Sequence, residues 1–227
     1  MTNMYSYPHA GGSTLNYKAF KHQFPESIGK VVPIEIPGRG KRGTEPFSNT
    51  IHECIEDSID QIPNEESDYI LHGHCMGALL AFETLKALKR KKRKLPTLLV
   101  VSGRNAPGYQ TDWGLRVAGL DDEKLFEELK SVGGAPRGLS FAMAQQFLTI
   151  IRKDQKIVHQ YSPDDEKVDV PILVLAGKDD VMTNTEALLQ WQDFTSSKVE
   201  LNFMDGEHYF IYDQAEAVAN LINEFKE

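Results

Sequence analysis

Short apolar runs alternate along this chain with stretches whose apolar positions recur at helical spacing. Met4–Tyr7 reads as a first strand, and the turn Ala10-Gly11-Gly12 follows it. Ser13 or Thr14 is placed to cap a helix running to Gln23. Val31–Ile36 is β-branched and reads as a second strand, leading through Pro37-Gly38-Arg39-Gly40 to a helix over Asn49–Gln61. Asp68–Gly73 is a third strand. The helix Met76–Lys89 behind it carries Leu79, Leu80, Phe82, Leu85 and Leu88 on an apolar face. Thr97–Ser102 and Pro171–Ala176 are continuous apolar runs, the pattern of strands buried on both faces. Lys198–Met204 and Asp213–Phe225 supply a last strand and a last helix. Strands that alternate with helices of this length predict an α/β fold, a mostly parallel sheet flanked by helices on both faces.

The alternation breaks between Arg104 and Asp169, where Asp121–Val132 and Leu139–Tyr161 read as helical around a Gly-Gly-Ala-Pro-Arg-Gly joint. We expect one domain over residues 1–227, with 104–169 inserted in it as a helical lid over one end of the sheet. Phe126, Leu129, Phe141, Phe147 and Leu148 are expected mainly to hold the lid helices together.

Composition bounds the function without choosing it. At 227 residues and 41% hydrophobic the chain can bury a core of its own. A formal charge of −8 disfavours a general nucleic-acid binder. No apolar run is long enough to span a membrane, and Met1–Pro8 lacks the basic-then-apolar pattern of a secretory leader. The two cysteines, Cys54 and Cys75, cannot form a disulfide framework, so a cytoplasmic setting is expected. Lys86–Lys94 concentrates seven of the 25 basic residues, and the expectation is a solvated helix end suited to the helix dipole.

The chemistry concentrates at Gly73-His74-Cys75-Met76-Gly77, a Gly-x-Cys-x-Gly at the junction of an apolar strand and an apolar helix. A sharp strand-to-helix turn there would push the Cys75 side chain into the open, and glycines would be needed because a Cβ on either flank would clash. The helix N-terminus favours the thiolate and offers backbone N–H groups to an oxyanion. Cys54 has no such context and reads as a buried, inert thiol. A nucleophile needs a base, and the base needs an orienting acid. His208 follows the last strand and Lys178-Asp179-Asp180 follows the preceding one, both at strand C-terminal ends where open α/β sheets carry their sites. The order nucleophile, acid, histidine is that of the α/β-hydrolase group. His9, His22, His52, His72, His74 and His159 read as structural or surface residues. No histidine stands at metal-ligand spacing with Cys or carboxylates, and no glycine loop of nucleotide-binding type is present, so neither a metal nor a cofactor is expected.

Five motifs together resemble the type II thioesterases, free-standing editing enzymes of non-ribosomal peptide and polyketide assembly lines. They are Tyr7-Pro8-His9-Ala10-Gly11-Gly12-Ser13, Pro37-Gly38-Arg39-Gly40, Gly73-His74-Cys75-Met76-Gly77-Ala78, Arg152-Lys153-Asp154 and Gly206-Glu207-His208-Tyr209-Phe210. The similarity runs from about Met4 to Phe225. It implies Cys75 as nucleophile, His208 as base, Asp180 in preference to Asp179 as the orienting acid, and the N–H groups of Met76 and Ala10 as oxyanion donors. It further implies a monomer whose substrates ride on the phosphopantetheine of acyl or peptidyl carrier proteins, with no cofactor of its own. Most family members have Ser where this chain has Cys75, and Glu207 stands where a Gly is usual. Attack by Cys75 on a thioester exchanges one thioester for another, which is nearly thermoneutral, so release of the acyl group rests on activation of water by His208.

Other readings of the same residues remain open here. An acyltransferase or chain-release enzyme would use the same Cys. A dienelactone-hydrolase-like carboxylesterase also has a Gly-x-Cys-x-Gly elbow, but would not explain the His-Ala-Gly-Gly and Pro-Gly-Arg-Gly motifs. A non-catalytic binding protein of the same fold would have no need of all three groups.

Overall fold

The computed structural model describes residues 2–64 and 67–226. Met1 and Glu227, the ends of the expected 1–227 domain, lie outside the described residues. Six strands form one wholly parallel sheet in the order β2-β1-β3-β4-β5-β6: β1 (Thr2–Tyr7), β2 (Gly29–Pro33), β3 (Tyr69–His74), β4 (Leu98–Ser102), β5 (Ile172–Gly177) and β6 (Val199–Met204). The expected mostly parallel α/β sheet is therefore observed.

The period of two along each strand divides the core. Tyr5, Leu71, Leu99 and Val174 face one side, where they pack with Ile55 of α2 (Ile51–Ser58) and with Leu80, Leu85 and Leu88 of α3 (Met76–Arg90). Met4, Ile70, Val100 and Leu173 face the other, against Phe20 of α1 (Lys18–Gln23) and Val218 and Ile222 of α8 (Ala215–Lys226). Each such side chain contributes roughly 1.5–3 kcal/mol on burial. Three buried leucines on α3 alone therefore fix the helix whose N-terminus carries the most distinctive motif.

Several expectations are corrected in detail. The predicted strand Val31–Ile36 begins at Gly29 and ends at Pro33. Ile34 N–H still reaches Ser6 O at 2.9 Å, but the next amide, of Glu35, turns to Gln61 Oε1 at 3.0 Å, so a side chain takes over from the ladder. Ser13 caps a 3₁₀ turn over Thr14–Tyr17 before α1 begins, and its own N–H donates in return to Asn16 Oδ1 at 2.8 Å. The region between β4 and β5 holds three helices, not two: α4 (Asp112–Ala118), α5 (Asp122–Ser131) and α6 (Gln145–Gln160). Phe126, Leu129 and Leu148 pack there in a separate apolar cluster, with Phe141 and Phe147 at its edge. A further short helix, α7 (Thr185–Leu189), lies between β5 and β6.

The basic run departs from a simple solvated end. Lys86 is fully buried and holds Glu83 at 2.9 Å as well as Asp164. Arg90, Lys91 and Lys94 pair with Glu166, Glu56 and Asp68 at 3.0–3.1 Å. Much of this cationic stretch is thus neutralised within the chain, which leaves little for an acidic partner. No helix among the described residues is long and apolar enough to cross a membrane.

Candidate active site

Loops at the C-terminal ends of β1, β3, β4, β5 and β6 converge on one cavity of about 100 Å3, lined by Ala10, Cys75, Met76, Arg104, His208 and Tyr209 among others. This is the edge of a parallel sheet where ligands are expected.

Cys75 sits at its base between β3 and α3, with φ +56° and ψ −116°. Left-handed backbone is costly for a residue with a Cβ, so the surroundings must hold it there. Its N–H donates to Ser102 O at 2.8 Å, and its carbonyl accepts from Ala78 N–H at 3.1 Å. The flanking glycines follow from the same geometry. A Cβ on Gly73 would stand 1.9 Å from Gly77 O, and one on Gly77 would stand 2.3 Å from Tyr7 O. As the first residue of α3, Met76 has an N–H with no carbonyl four residues back to receive it. That N–H and Ala10 border the cavity beside the thiol.

His208 and Asp180 meet where the sequence places them. His208 Nδ1 lies 2.9 Å from Asp180 Oδ2, and both side chains are almost fully buried. The other carboxylate oxygen, Asp180 Oδ1, accepts the Met182 N–H at 2.8 Å, which fixes the carboxylate's orientation. Asp179 is exposed, so Asp180 is the one brought to the histidine. Glu207 is exposed too. His208 Nε2 is buried with no partner that meets full hydrogen-bond geometry, and the Cys75 thiol is its electrostatic neighbour.

Burial opposes ionisation of the Cys75 thiol, but His208, Arg104 and the Met76 N–H together outweigh it and hold the thiol below its ordinary range. Burial also opposes protonation of His208. Cys75 and Asp180 reverse that effect and raise its pKa to about 10. Each group thus favours the charged form of the other, the thiolate on Cys75 and the imidazolium on His208. Cys54, buried on α2, goes the other way: desolvation pushes it up to about 11, in keeping with an inert thiol.

The remaining histidines divide. His22 and His52 are exposed, and His159 borders the cavity. His9, His72 and His74 are buried and kept neutral by desolvation, with His9 and His72 pulled down to about 3. Ser102 Oγ bridges His72 Nε2 at 3.2 Å and His74 Nδ1 at 3.0 Å, and the His74 ring lies 5.1 Å from that of His208. His74 thus packs beside His208, and His72 is joined to it through Ser102.

Two features went unread in the sequence. Arg39 and Asp154, each from a motif already noted, form a buried two-pronged ion pair at 2.6 Å per bond. Asp154 Oδ2 also accepts the Gly11 N–H at 2.7 Å, tying the turn that carries Ala10. Arg104 and Asn105, directly after β4, and Trp113 of α4 line the cavity. Their position at a strand C-terminal end was the available signal for the first two.

Residues 3–225 match the Thioesterase domain family. The chain belongs to the thioesterase family. As a thioesterase it is a thioester hydrolase, and its sheet and flanking helices are those of the α/β-hydrolase fold. It is 30% identical over 217 residues to the gramicidin S biosynthesis protein GrsT of Aneurinibacillus migulanus, covering 92% of this chain and 83% of that one. Two solved structures are similar over 98% of this chain. One is the RedJ thioesterase from the prodiginine pathway of Streptomyces coelicolor, with TM-score 0.86, 27% identity and 85% of that chain covered. The other is the type II thioesterase BorB from the borrelidin biosynthetic cluster, with TM-score 0.83, 29% identity and 91% covered.

Proposed function

We propose that this thioesterase removes acyl groups from the phosphopantetheine arms of carrier proteins on a non-ribosomal peptide or polyketide assembly line, through an acyl-enzyme on Cys75. The reading is carried by one observation: a thiol in strained backbone at a helix N-terminus, beside a histidine whose far nitrogen is held 2.9 Å from a buried carboxylate. The pathways named for GrsT, RedJ and BorB support the choice of substrate.

The Cys75 thiolate attacks the thioester carbonyl carbon. The oxygen takes up the negative charge and is received by the N–H groups of Met76 and Ala10. Collapse expels the phosphopantetheine sulfur, which takes its proton from His208. Acylation removes the thiolate charge, and with it the main attraction that kept His208 protonated. The neutral ring then accepts a proton from water as that water attacks the thioacyl carbon. Breakdown of the second tetrahedral species releases the free acid and restores Cys75. Asp180 holds the ring in the tautomer that presents Nε2 throughout. The helices of 104–169 act as the lid that bounds the acyl pocket.

Intact-mass spectrometry of an acetyl-loaded carrier protein mixed with the enzyme tests this. Loss of the acetyl group with release of acetate, abolished in Cys75→Ala, is the expected result. A carrier that keeps its acetyl group under conditions where the enzyme hydrolyses other esters would refute the substrate assignment. A persistent adduct on Cys75, cleared only when an amine or alcohol is added, would replace hydrolysis with acyl transfer.

A further inference from the structure

Three nitrogen donors in the wall of the Cys75 cavity are buried and have no hydrogen-bond partner: Arg104 Nε, Asn105 Nδ2 and Trp113 Nε1. Unpaired buried donors are rare, because each forfeits its hydration without replacement. Here three belong to residues that line one space. The orientation of the Asn105 amide is settled by its other end, since Oδ1 accepts the Asn184 N–H at 3.1 Å. The rest of the amide is thereby committed to donating.

Charge sharpens the pattern. No Asp or Glu lines the cavity, and among the described residues the Arg104 guanidinium has no ion pair. Its electrostatic neighbours are Cys75 and the phenol of Tyr161, whose hydroxyl is already donated to Glu83 at 2.7 Å. The Cys75 thiolate can serve Arg104 in the resting enzyme. Once the sulfur is acylated that negative charge is gone, and the acyl group itself is the remaining source of one within the cavity.

We propose that the acyl pocket selects short acyl groups bearing a terminal carboxylate, the monothioesters of dicarboxylic acids, with Arg104 receiving the carboxylate and Asn105 and Trp113 donating to acyl oxygens. The small cavity favours a short chain over a long one. A guanidinium fork suits a carboxylate better than any neutral acyl end. The inference rests on the thioesterase reading and adds the substrate class to it.

The test compares succinyl and glutaryl thioesters of N-acetylcysteamine with butyryl and valeryl thioesters, in the wild-type enzyme and in Arg104→Met and Arg104→Lys. The expected result is a kcat/KM ratio favouring the carboxyacyl substrates by about tenfold or more, inverted in Arg104→Met and partly recovered in Arg104→Lys. Calorimetry with the corresponding amides, nitrogen in place of the thioester sulfur, reads the same preference without turnover. Tighter binding of the succinyl amide than of the butyryl amide, lost in Arg104→Met, supports the assignment. Hydrolysis of the neutral thioesters with no carboxyacyl preference would overturn this inference and leave the thioesterase reading standing. Failure to hydrolyse any thioester would count against that reading, and equal binding of the two amides would then overturn the inference on its own terms.

Discussion

The ion pair Arg39–Asp154 offers a measurement in which fold and site can be separated. Both side chains are almost fully buried, at 3% and 1% exposure, and their two bonds are 2.6 Å long. Arg39→Met leaves the Asp154 carboxylate without its counter-charge, although Gly11 N–H still donates to it. Removing one member of a buried pair costs about 3–5 kcal/mol. Asp154→Leu strands the guanidinium instead, at a similar cost, and leaves Gly11 N–H unpaired, which adds about 1–3 kcal/mol. In the double variant both charges are gone, and what persists is that orphaned N–H, together with a Gly12 carbonyl that loses only a long 3.4 Å contact from Arg39 Nη1. It should therefore lose about 1–3 kcal/mol, several kcal/mol less than the two single losses added together.

Urea denaturation of the four proteins measures this directly, with equal slopes confirming that the same surface unfolds in each. Single losses that approach the total stability of a small domain are to be expected, so Asp154→Asn, which keeps an acceptor for Gly11, serves as the milder member. Single variants within about 1 kcal/mol of wild type, or a double variant as unstable as the sum of the singles, would refute the reasoning. Activity of the folded double variant reports on the other role. Gly11 adjoins Ala10, so a loosened turn should lower kcat by about 10–100-fold while KM changes little. Full kcat there would mean that the pair supports the fold without positioning the oxyanion donor.

Further outcomes follow from the same geometry. Alkylation of Cys75 by iodoacetamide should show a midpoint pH below that of an ordinary thiol, because the thiolate is favoured. His208→Ala should move that midpoint upward, since burial, which opposes ionisation, then acts without its largest offset. An unchanged midpoint would contradict the thiolate–imidazolium assignment. Asp180→Asn should retain the fold and lower kcat by about 10²–10⁴-fold, because the amide can donate to Nδ1 and stabilise the wrong tautomer; a loss under threefold would count against Asp180 as the orienting group. Gly77→Ala, whose Cβ would stand 2.3 Å from Tyr7 O, should lower the melting temperature sharply or prevent folding, and a wild-type melting curve would show that β1 and α3 can separate at little cost.

What the sequence made legible follows from how local each signal was. The buried strands β4 and β5 are continuous apolar runs, and α3 shows a clear apolar face, so their bounds fall within a residue or two of the expected ones. The elbow was legible because its glycines, its Cys75 and its flanking elements form one unbroken stretch from Tyr69 to Arg90. His208 and Asp180 are 28 positions apart, yet the rule that strand C-terminal ends carry the site picked out His208 and the pair Asp179-Asp180. Asp180 could not be separated from Asp179 by composition, since the distinction lies in a turn that sends one carboxylate inward and the other into solvent. The helix α4 is hard to see because Asp112–Ala118 is short and interrupted by Gly114, and the burial of Lys86 is not legible because one of its two partners, Asp164, lies 78 residues away. Arg39 with Asp154 belongs to the same class: two motifs visible separately, 115 residues apart, whose joint meaning exists only once the chain has folded.

The histidines show why this difference between local and distant signals matters for function. Sequence could only sort seven like residues by context, whereas the fold gives His208 and its buried neighbours His9 and His74 opposite electrostatics at close quarters. His9 and His74 lie near His208, and a positive charge on either would oppose its protonation. Desolvation keeps both neutral, while Asp180 and the Cys75 thiolate draw the proton to His208 alone. On the proposed mechanism one imidazole exchanges a proton with sulfur and water while its neighbours, held by Ser102 and Tyr212, stay out of the reaction. A site built from several histidines thereby behaves as though it contained one.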